Sequence, residues 1–294
     1  MVGAAFVFSI MGAAIKLASA SHTFFEIVFY RGAVASLLIG GWVALRGGSF
    51  GSDRLRLHAS RSTVGATAMC IWFYTIGVLP LGTAVTLNYT SPLFIALLLT
   101  AAGWYRGRGV SGRGWLHAAI AASFLGVLLI LRPTVEREHT LELMLGLLSG
   151  FLGSLAYLQV RELGRLGEPD WRTVFWFSVT CVLMGGAGAS LTGWHGLAPK
   201  QAGLLALIGV LAMLGQLMMT RAFSRGNTLL TANLQYVGVI FATAIGWLAF
   251  GDRFDWIELA GMGLIVCSGI AATRVTSSQA PPAPAGSVQE TSPA

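Results

Sequence analysis

The sequence predicts an all-α integral membrane protein with ten transmembrane helices, arranged as two inverted five-helix repeats. Of its 294 residues, 55% are hydrophobic and only 11% are charged, whereas a soluble domain carries roughly 25% charged residues. Apolar stretches recur along nearly the whole chain, and the chain matches itself at one constant offset. These three observations together predict the fold class.

The apolar stretches are the predicted membrane spans. Each is about long enough to cross a hydrocarbon core of ~30 Å, which takes about 20 helical residues. After the last stretch, residues 275–294 contain a Pro- and Ala-rich run with scattered Ser, and we expect this segment to be a disordered cytoplasmic tail. The ten predicted spans are 2–19, 24–45, 60–78, 83–104, 115–131, 143–163, 172–193, 201–221, 228–250 and 256–273.

The basic residues predict the orientation of these spans. With both termini in the cytoplasm, 13 of the 19 Lys and Arg residues fall on the cytoplasmic side and four on the other, while Lys16 and Arg31 lie within spans. Because Lys and Arg collect in short cytoplasmic loops, we expect a multi-pass protein of the cell inner (cytoplasmic) membrane. The basic residues are scattered, so the net charge of +7 does not predict binding to nucleic acid. The expected partners are the lipid bilayer and a small-molecule substrate, and a monomer is a possible functional unit.

A shift of 145 residues aligns two halves of the chain without a gap. Because each half holds five spans, an odd number, the second half must be inserted upside down relative to the first. Transporters often use such repeats, with a binding site at the repeat interface near the middle of the membrane. The offset predicts a first repeat over 1–134 and a second over 135–274. The polar matches include Ser9 with Ser154, Thr83 with Thr228, Thr86 with Thr231 and Asn88 with Asn233.

Polar and aromatic side chains inside the spans are the candidate substrate-binding residues, because polar groups in hydrocarbon face a cavity or another helix. Helical periodicity places Asn88 and Ser91 away from the threonine face of the fourth span, and Asn233 and Tyr236 repeat this pattern in the ninth. The alternatives are hydrogen bonding between helices and, for the aromatic rings, gap filling. The candidates are Ser9, Trp72, Tyr74, Asn88, Ser91, Tyr157, Gln216, Asn233 and Tyr236.

Pro92 predicts a kink in the fourth span. Proline removes the hydrogen bond to the carbonyl group four residues earlier, which here belongs to Asn88. Asn88 would then offer a free main-chain acceptor near the middle of the membrane. The alternative is a kink that only shapes helix packing.

Four charged residues are predicted to guard the two vestibules. Lys16 falls near the outer surface and Arg161, at the matching position of the second half, near the inner one. Glu26 and Arg31 of the second span are possible partners of Lys16. For Arg161 the alternative is a helix-end charge that simply reaches into water.

Three motifs resemble those of a known family. Ile15-Lys16-Leu17 ends the first span, the run from Phe25 to Arg31 (FEIVFYR) lies in the second, and Thr90 to Phe94 (TSPLF) lies in the fourth. They resemble the EamA family of the drug/metabolite transporter superfamily, over roughly residues 1–274. The resemblance implies two inverted repeats around a central cavity, and substrates that include amino acids and other small metabolites or drugs. Asp252 departs from the family pattern, in which the fourth helix of a repeat commonly ends in Gly-Glu.

Within that family the chain is similar to the YddG-like amino-acid exporters, and it also looks like relatives that carry nucleoside-type metabolites. The acidic residues that fall within predicted spans, Glu26, Glu162 and Glu258, all lie within a few residues of a span end, and no catalytic grouping, metal cluster or cofactor site is predicted. We therefore expect a transporter rather than an enzyme. A mostly uncharged cavity favours an exporter or exchanger of neutral or aromatic amino acids. The open alternatives are a carrier of nucleoside-type metabolites or drugs, and a membrane scaffold or receptor that transports nothing.

Overall fold

Every regular element among the described residues is a helix, which confirms the all-α fold. The computed structural model describes residues 1–105, 118, 121–122, 125–126, 129 and 139–277, without the side chains of 103–105, 229, 233, 269 and 271–277. Most of the fifth predicted span, 115–131, lies outside the described residues. So does most of the predicted tail, although a helix continues to Ser277.

The helices follow the predicted spans closely, with one shift of consequence: the third helix begins at Leu55 rather than at residue 60. The helices are α1 (Val2–Ala18), α2 (Phe24–Leu45), α3 (Leu55–Val78), α4 (Leu81–Asn88), α5 (Ser91–Tyr105), α6 (Thr140–Arg165), α7 (Asp170–Thr192), α8 (Pro199–Arg225), α9 (Thr228–Asn233), a 3-10 turn (Leu234–Tyr236), α10 (Val237–Phe250) and α11 (Trp256–Ser277).

Six helical segments of the described chain are long and apolar enough to cross a membrane, judged by length and composition. Two of them contain an interruption: Leu81–Ala102 is broken between α4 and α5, and Leu230–Phe250 contains the 3-10 turn. The six segments are Phe24–Leu45, Leu81–Ala102, Thr140–Arg165, Asp170–Thr192, Pro199–Arg225 and Leu230–Phe250.

Local sequence signals set several helix ends. Thr23 caps α2: its side chain accepts a hydrogen bond from the Glu26 amide, and the Glu26 carboxylate accepts one from the Thr23 amide in return. Pro199 occupies the first turn of α8, where its missing N–H group is not needed. At Gly251, which ends α10, φ is 65°, a left-handed conformation that glycine adopts without a Cβ clash.

The first five helices pack against the later ones rather than only among themselves. The main pairs are α2 with α7, α3 with α6, and α1 with α8. One close approach is at Gly150 of α6, where a Cβ atom would lie 2.7 Å from the Leu87 carbonyl oxygen and 3.0 Å from that of Asn88. Glycine therefore lets α6 lie directly on the break between α4 and α5, and this contact borders the central cavity described below.

Candidate functional site

A small cavity lies where the first five helices meet the later ones. Its volume is about 50 Å³, whereas pockets that hold drug-sized ligands measure about 300–1,000 Å³. The cavity has room for a few water molecules, at about 10–15 Å³ each. A metabolite would fit only if the surrounding helices moved apart. The lining residues are Phe8, Arg61, Gly65, Ala68, Met69, Trp72, Asn88, Tyr89, Gly153, Ala156, Tyr157, Phe177, Gln216 and Met219.

Among the described residues that line the cavity, Arg61 is the only charged one. It lies in the second turn of α3 and is only 2% exposed. The guanidinium carbon lies 4.0 Å from the centroid of the Phe177 ring, which gives a cation–π contact. Its Nε and Nη1 atoms have no hydrogen-bond partner among the described residues. Arg61 therefore brings a positive charge and free N–H donors into the cavity wall.

A second buried arginine lies on the same aromatic ring. Arg31, in the middle of α2, is fully buried, and its guanidinium carbon lies 5.1 Å from the centroid of Phe177. Its nearest polar contacts are sulfur atoms: Met69 Sδ, and Cys181 Sγ at 3.7 Å. Its Nε and Nη2 atoms are unpartnered within the described part of the chain. Arg31 thus supports a positive potential beside the cavity without lining it.

The two arginines change two expectations from the sequence. Arg31 does not pair with Lys16 at a vestibule, because its position in α2 directs it to Met69 and Cys181 in the interior. The cavity lining is mostly uncharged but includes one charged residue that the sequence did not place there, Arg61. The sequence counts Arg61 among the 13 basic residues of the cytoplasmic side, because it is the second residue of the predicted third span. With α3 beginning at Leu55, the same residue is a buried residue of the helix.

Four of the nine predicted binding residues line the cavity: Trp72, Asn88, Tyr157 and Gln216. The Trp72 indole N–H has no hydrogen-bond partner among the described residues. The Asn88 side-chain amide donates to Ser149 Oγ at 3.1 Å. The Tyr157 ring stacks on Phe223 with 4.8 Å between ring centroids. The cavity thus combines aromatic faces with amide groups.

The other predicted binding residues lie elsewhere. Ser9 donates to the carbonyl groups of Ala5 and Gly238, so its hydroxyl group joins α1 to α10. Tyr74 donates to Glu142 Oε1 at 3.3 Å, outside the cavity. The last three are Ser91 and Tyr236, which are buried with unpartnered hydroxyl groups and do not line the cavity, and Asn233, whose side chain is not among the described residues.

The predicted kink near Pro92 corresponds to a complete break of the helix. α4 ends at Asn88 and α5 begins at Ser91, so the chain leaves helical geometry at Tyr89 and Thr90. The break places the Asn88 side chain on the cavity wall and the Asn88 carbonyl group against Gly150 of α6.

One end of the helix bundle is held together by an ion pair between residues that are far apart in the sequence. We call this end of the bundle the Lys16 end. Lys16 Nζ donates to Asp252 Oδ1 at 2.9 Å and to Oδ2 at 3.1 Å, and the Leu81 amide donates to Asp252 Oδ2 at 2.8 Å. Both charged side chains are largely buried, at 18% and 11% exposed. The pair connects α1 to the end of α10. The sequence had suggested Glu26 and Arg31 as partners of Lys16, because no periodicity pairs residues so far apart in the chain.

Glu26 forms a separate set of hydrogen bonds at the same end. Its buried carboxylate accepts hydrogen bonds from the His195 amide at 2.7 Å and from the His195 ring at 2.8 Å. It thereby ties the start of α2 to the connector between α7 and α8. Together, Lys16 and Glu26 link early and late parts of the chain at the Lys16 end.

The opposite end, which we call the Glu168 end, is held by a carboxylate with several partners. Glu168 accepts from Arg172 Nη1 at 2.9 Å and from the Ser52 hydroxyl group, and His58 Nε2 lies 3.3 Å away. Burial by itself would raise the pKa of the Glu168 carboxyl, but these hydrogen bonds outweigh burial and hold that pKa below its ordinary value. Arg161, on α6 towards the same end, is half-buried and forms no ion pair with any described residue.

The chain is similar to known transport proteins. The EamA-like transporter family model matches residues 1–132 and again residues 140–273. The pseudopaline exporter CntI of Pseudomonas aeruginosa is 31% identical over 275 residues, which cover 92% of this chain and 93% of that protein. An uncharacterized transporter of Helicobacter pylori is 30% identical over 275 residues, with 90% and 89% covered. One solved crystal structure matches with a TM-score of 0.68 at 15% identity, covering 94% of this chain and 96% of the other, which indicates a shared fold.

Proposed function

Because the chain belongs to the EamA-like transporter family, we propose that it exchanges or exports amino acids, neutral or aromatic ones foremost, by alternating access to its central cavity. It is a multi-pass membrane protein that transports small metabolites, and it is not an enzyme. The proposal adds the architecture, the orientation, the mechanism and the substrate class, each argued below.

The two helix breaks support an architecture of ten spans in two inverted repeats. The offset of 145 relates Tyr89 and Thr90, where the first break lies, to Leu234 and Gln235 within the 3-10 turn. The second break has no proline, since Val237 stands at the position matching Pro92. Two breaks at matching positions, one of them without proline, favour a repeated backbone design over two separate accidents. We assign the repeats to 1–134 and 135–274.

The mechanism is inferred from a cavity that lies between two ends of the helix bundle, each held together by ion pairs. Trp72, Asn88 and Gln216 surround the cavity, while Lys16–Asp252 and the Glu168 cluster fasten opposite ends of the bundle. Releasing one end at a time would open the cavity to one side of the membrane and then to the other, as inverted-repeat carriers do. We assign the Lys16 end to the outside and both termini to the cytoplasm, as the basic residues predict.

The lining favours amino acids among small metabolites. Rings of Trp72, Tyr157 and Phe177 offer flat apolar surfaces, and the Asn88 and Gln216 amides offer donors and acceptors for the polar part of the molecule. The relative CntI is an exporter, by its name a pseudopaline exporter, which supports the outward direction.

Counterflow in proteoliposomes tests this proposal. Vesicles loaded with an unlabelled amino acid should take up the same labelled amino acid faster than empty vesicles, and amino acids should compete better than nucleosides or quaternary cations. Trp72→Ala should slow uptake at least tenfold, because Trp72 lines the cavity at 6% exposure. Trp42→Ala is the matched control, since Trp42 is 46% exposed. Absence of counterflow for every compound would refute transport, and better competition by nucleosides would refute the substrate class.

A further inference from the structure

We propose that Arg61 binds a carboxylate group of the transported molecule, and that Arg31 strengthens this binding from behind the Phe177 ring. The inference deepens the proposed function and rests on the same cavity. It names the substrate as a carboxylate-bearing metabolite with an apolar or aromatic remainder. Amides, esters and amines without a carboxylate are then poor substrates.

The first step is that both guanidinium groups are buried without a counter-ion. Burying an unpaired charge is strongly unfavourable, and buried charges in proteins are normally paired. Arg61 and Arg31 are 2% and 0% exposed, and neither forms an ion pair with any acidic side chain in the described part of the chain. Both groups lie against one ring, so a single anion in the cavity would be attracted by both.

The second step is that the Glu168 carboxylate, which lies beside His58, already has other partners. His58, one turn before Arg61 on α3, lies next to Glu168. The Glu168 carboxylate in turn receives hydrogen bonds from Arg172 and Ser52. It therefore serves the Glu168 end of the bundle and leaves Arg61 without a partner.

The third step is that the contacts Arg61 does have cannot replace a carboxylate. The Phe177 ring offers a cation–π attraction but accepts no in-plane hydrogen bonds from Nε and Nη1. A carboxylate accepts two parallel N–H bonds from a guanidinium group, which is the geometry arginine is suited to.

The fourth step concerns the rest of the cavity wall. The Trp72 indole N–H is a further donor without a partner among the described residues, and Phe8 and Met219 supply apolar surface. A molecule with a carboxylate at one end and an apolar body matches this division. A small inorganic anion would use Arg61 but leave the apolar wall unfilled.

Equilibrium binding to the purified protein in detergent tests the recognition without requiring transport. The probes are acid and amide pairs: L-phenylalanine with L-phenylalaninamide, L-leucine with L-leucinamide, and phenylacetate with phenylacetamide. We expect the preferred acid to bind at least tenfold more tightly than its amide, measured by tryptophan fluorescence and by the shift in unfolding temperature. Equal binding within every pair, or no binding of any acid, would overturn the inference.

Substitution of Arg61 distinguishes recognition from a structural role. Arg61→Met removes the buried charge at similar volume, so we expect the ligand-free variant to unfold at an equal or higher temperature, while binding of the acid weakens at least tenfold and binding of the amide is unchanged. Arg31→Met should weaken acid binding less. Arg56→Met is the control, because this exposed arginine lies on the same helix as Arg61 and does not line the cavity. A lower unfolding temperature of Arg61→Met with unchanged preference for the acid would assign Arg61 to folding and refute the proposal.

Counterflow with the same pairs separates this inference from the proposed function. Acid-selective binding without any counterflow would refute transport and keep the carboxylate site. Counterflow that is equally fast for acid and amide would keep transport and refute the carboxylate site.

Discussion

The Asp252→Asn substitution should loosen the Lys16 end. Asparagine keeps the size of the side chain and an oxygen atom for the Leu81 amide, but removes the charge that Lys16 contacts at 2.9 Å. Lys16 is then left largely buried without a counter-ion whenever this end is closed. When the end opens, water solvates the ammonium group, so the substitution penalises the closed conformation only.

The magnitude follows from the burial of the pair. Exposed pairs contribute about 0.2–1 kcal/mol, and breaking a fully buried pair costs about 3–5 kcal/mol. With side chains 18% and 11% exposed, we place Lys16–Asp252 between these limits, at about 1.5–3 kcal/mol. Since 1.36 kcal/mol corresponds to a factor of ten, the open population should rise about 10- to 150-fold.

Thiol labelling of the cavity measures that population. Ala68→Cys places a thiol on the cavity wall, in a background where Cys70, Cys181 and Cys267 are replaced. A membrane-impermeant thiol reagent added from the Lys16 end should label Cys at position 68 faster in the Asp252→Asn protein. The increase in labelling rate reaches its limit once the cavity is open most of the time.

Two comparisons decide the interpretation of this labelling. The charge swap Lys16→Asp with Asp252→Lys should restore slow labelling, and Lys200→Met, which removes an exposed lysine near the same end, should change nothing. If the thiol at position 68 is labelled equally fast with Asp252 and with Asn at position 252, the reasoning that this ion pair holds the end closed is refuted.

Two further predictions concern the helix contact and the opposite end. Gly150→Val should lower the unfolding temperature markedly, because its Cβ alone would lie 2.7 Å from the Leu87 carbonyl oxygen and overpacking costs about 1–3 kcal/mol or more; unfolding at the original temperature would contradict the close packing. Glu168→Gln should destabilise the protein by about 2 kcal/mol at pH 7. The folded-state pKa of Glu168 lies below its ordinary 4.5, so this carboxylate stabilises the fold above about pH 4.5 and loses that effect as the pH falls through the folded-state pKa. The gap in unfolding temperature between the two proteins should close in that range, and a gap that widens on acidification would contradict the assignment.

Periodicity and length were sufficient to predict most of the helices. The break near Pro92 could be anticipated as a kink because proline acts locally, on its own helix. Four residues of the cavity wall could be selected from the sequence as candidate binding residues, because polar and large aromatic groups within apolar spans are uncommon and face other helices or a cavity. They are Trp72, Asn88, Tyr157 and Gln216.

The contacts that fasten the bundle could not be predicted. Lys16 and Asp252 are 236 positions apart, and a pair of that separation depends on how whole helices lie beside one another. The burial of Arg61 depended on a small shift in the start of α3, from residue 60 to Leu55. Helix ends are the least certain feature of any sequence pattern, and here such an end decides whether an arginine lies at the edge of a span or further inside the helix, in the cavity wall.

A reversible disulfide between α3 and α6 tests most directly the central claim that the halves of the chain move against each other. A Cβ atom added at Gly65 would lie 3.6 Å from the Cβ atom of Ala156, within the range of a disulfide. In a background without other cysteines, Gly65→Cys with Ala156→Cys should show counterflow when reduced, lose it when oxidised, and regain it on reduction. Each single variant should be indifferent to oxidation. Equal counterflow in the oxidised and reduced double variant, with the disulfide shown to be complete, would contradict a transport cycle in which the two halves separate around the cavity.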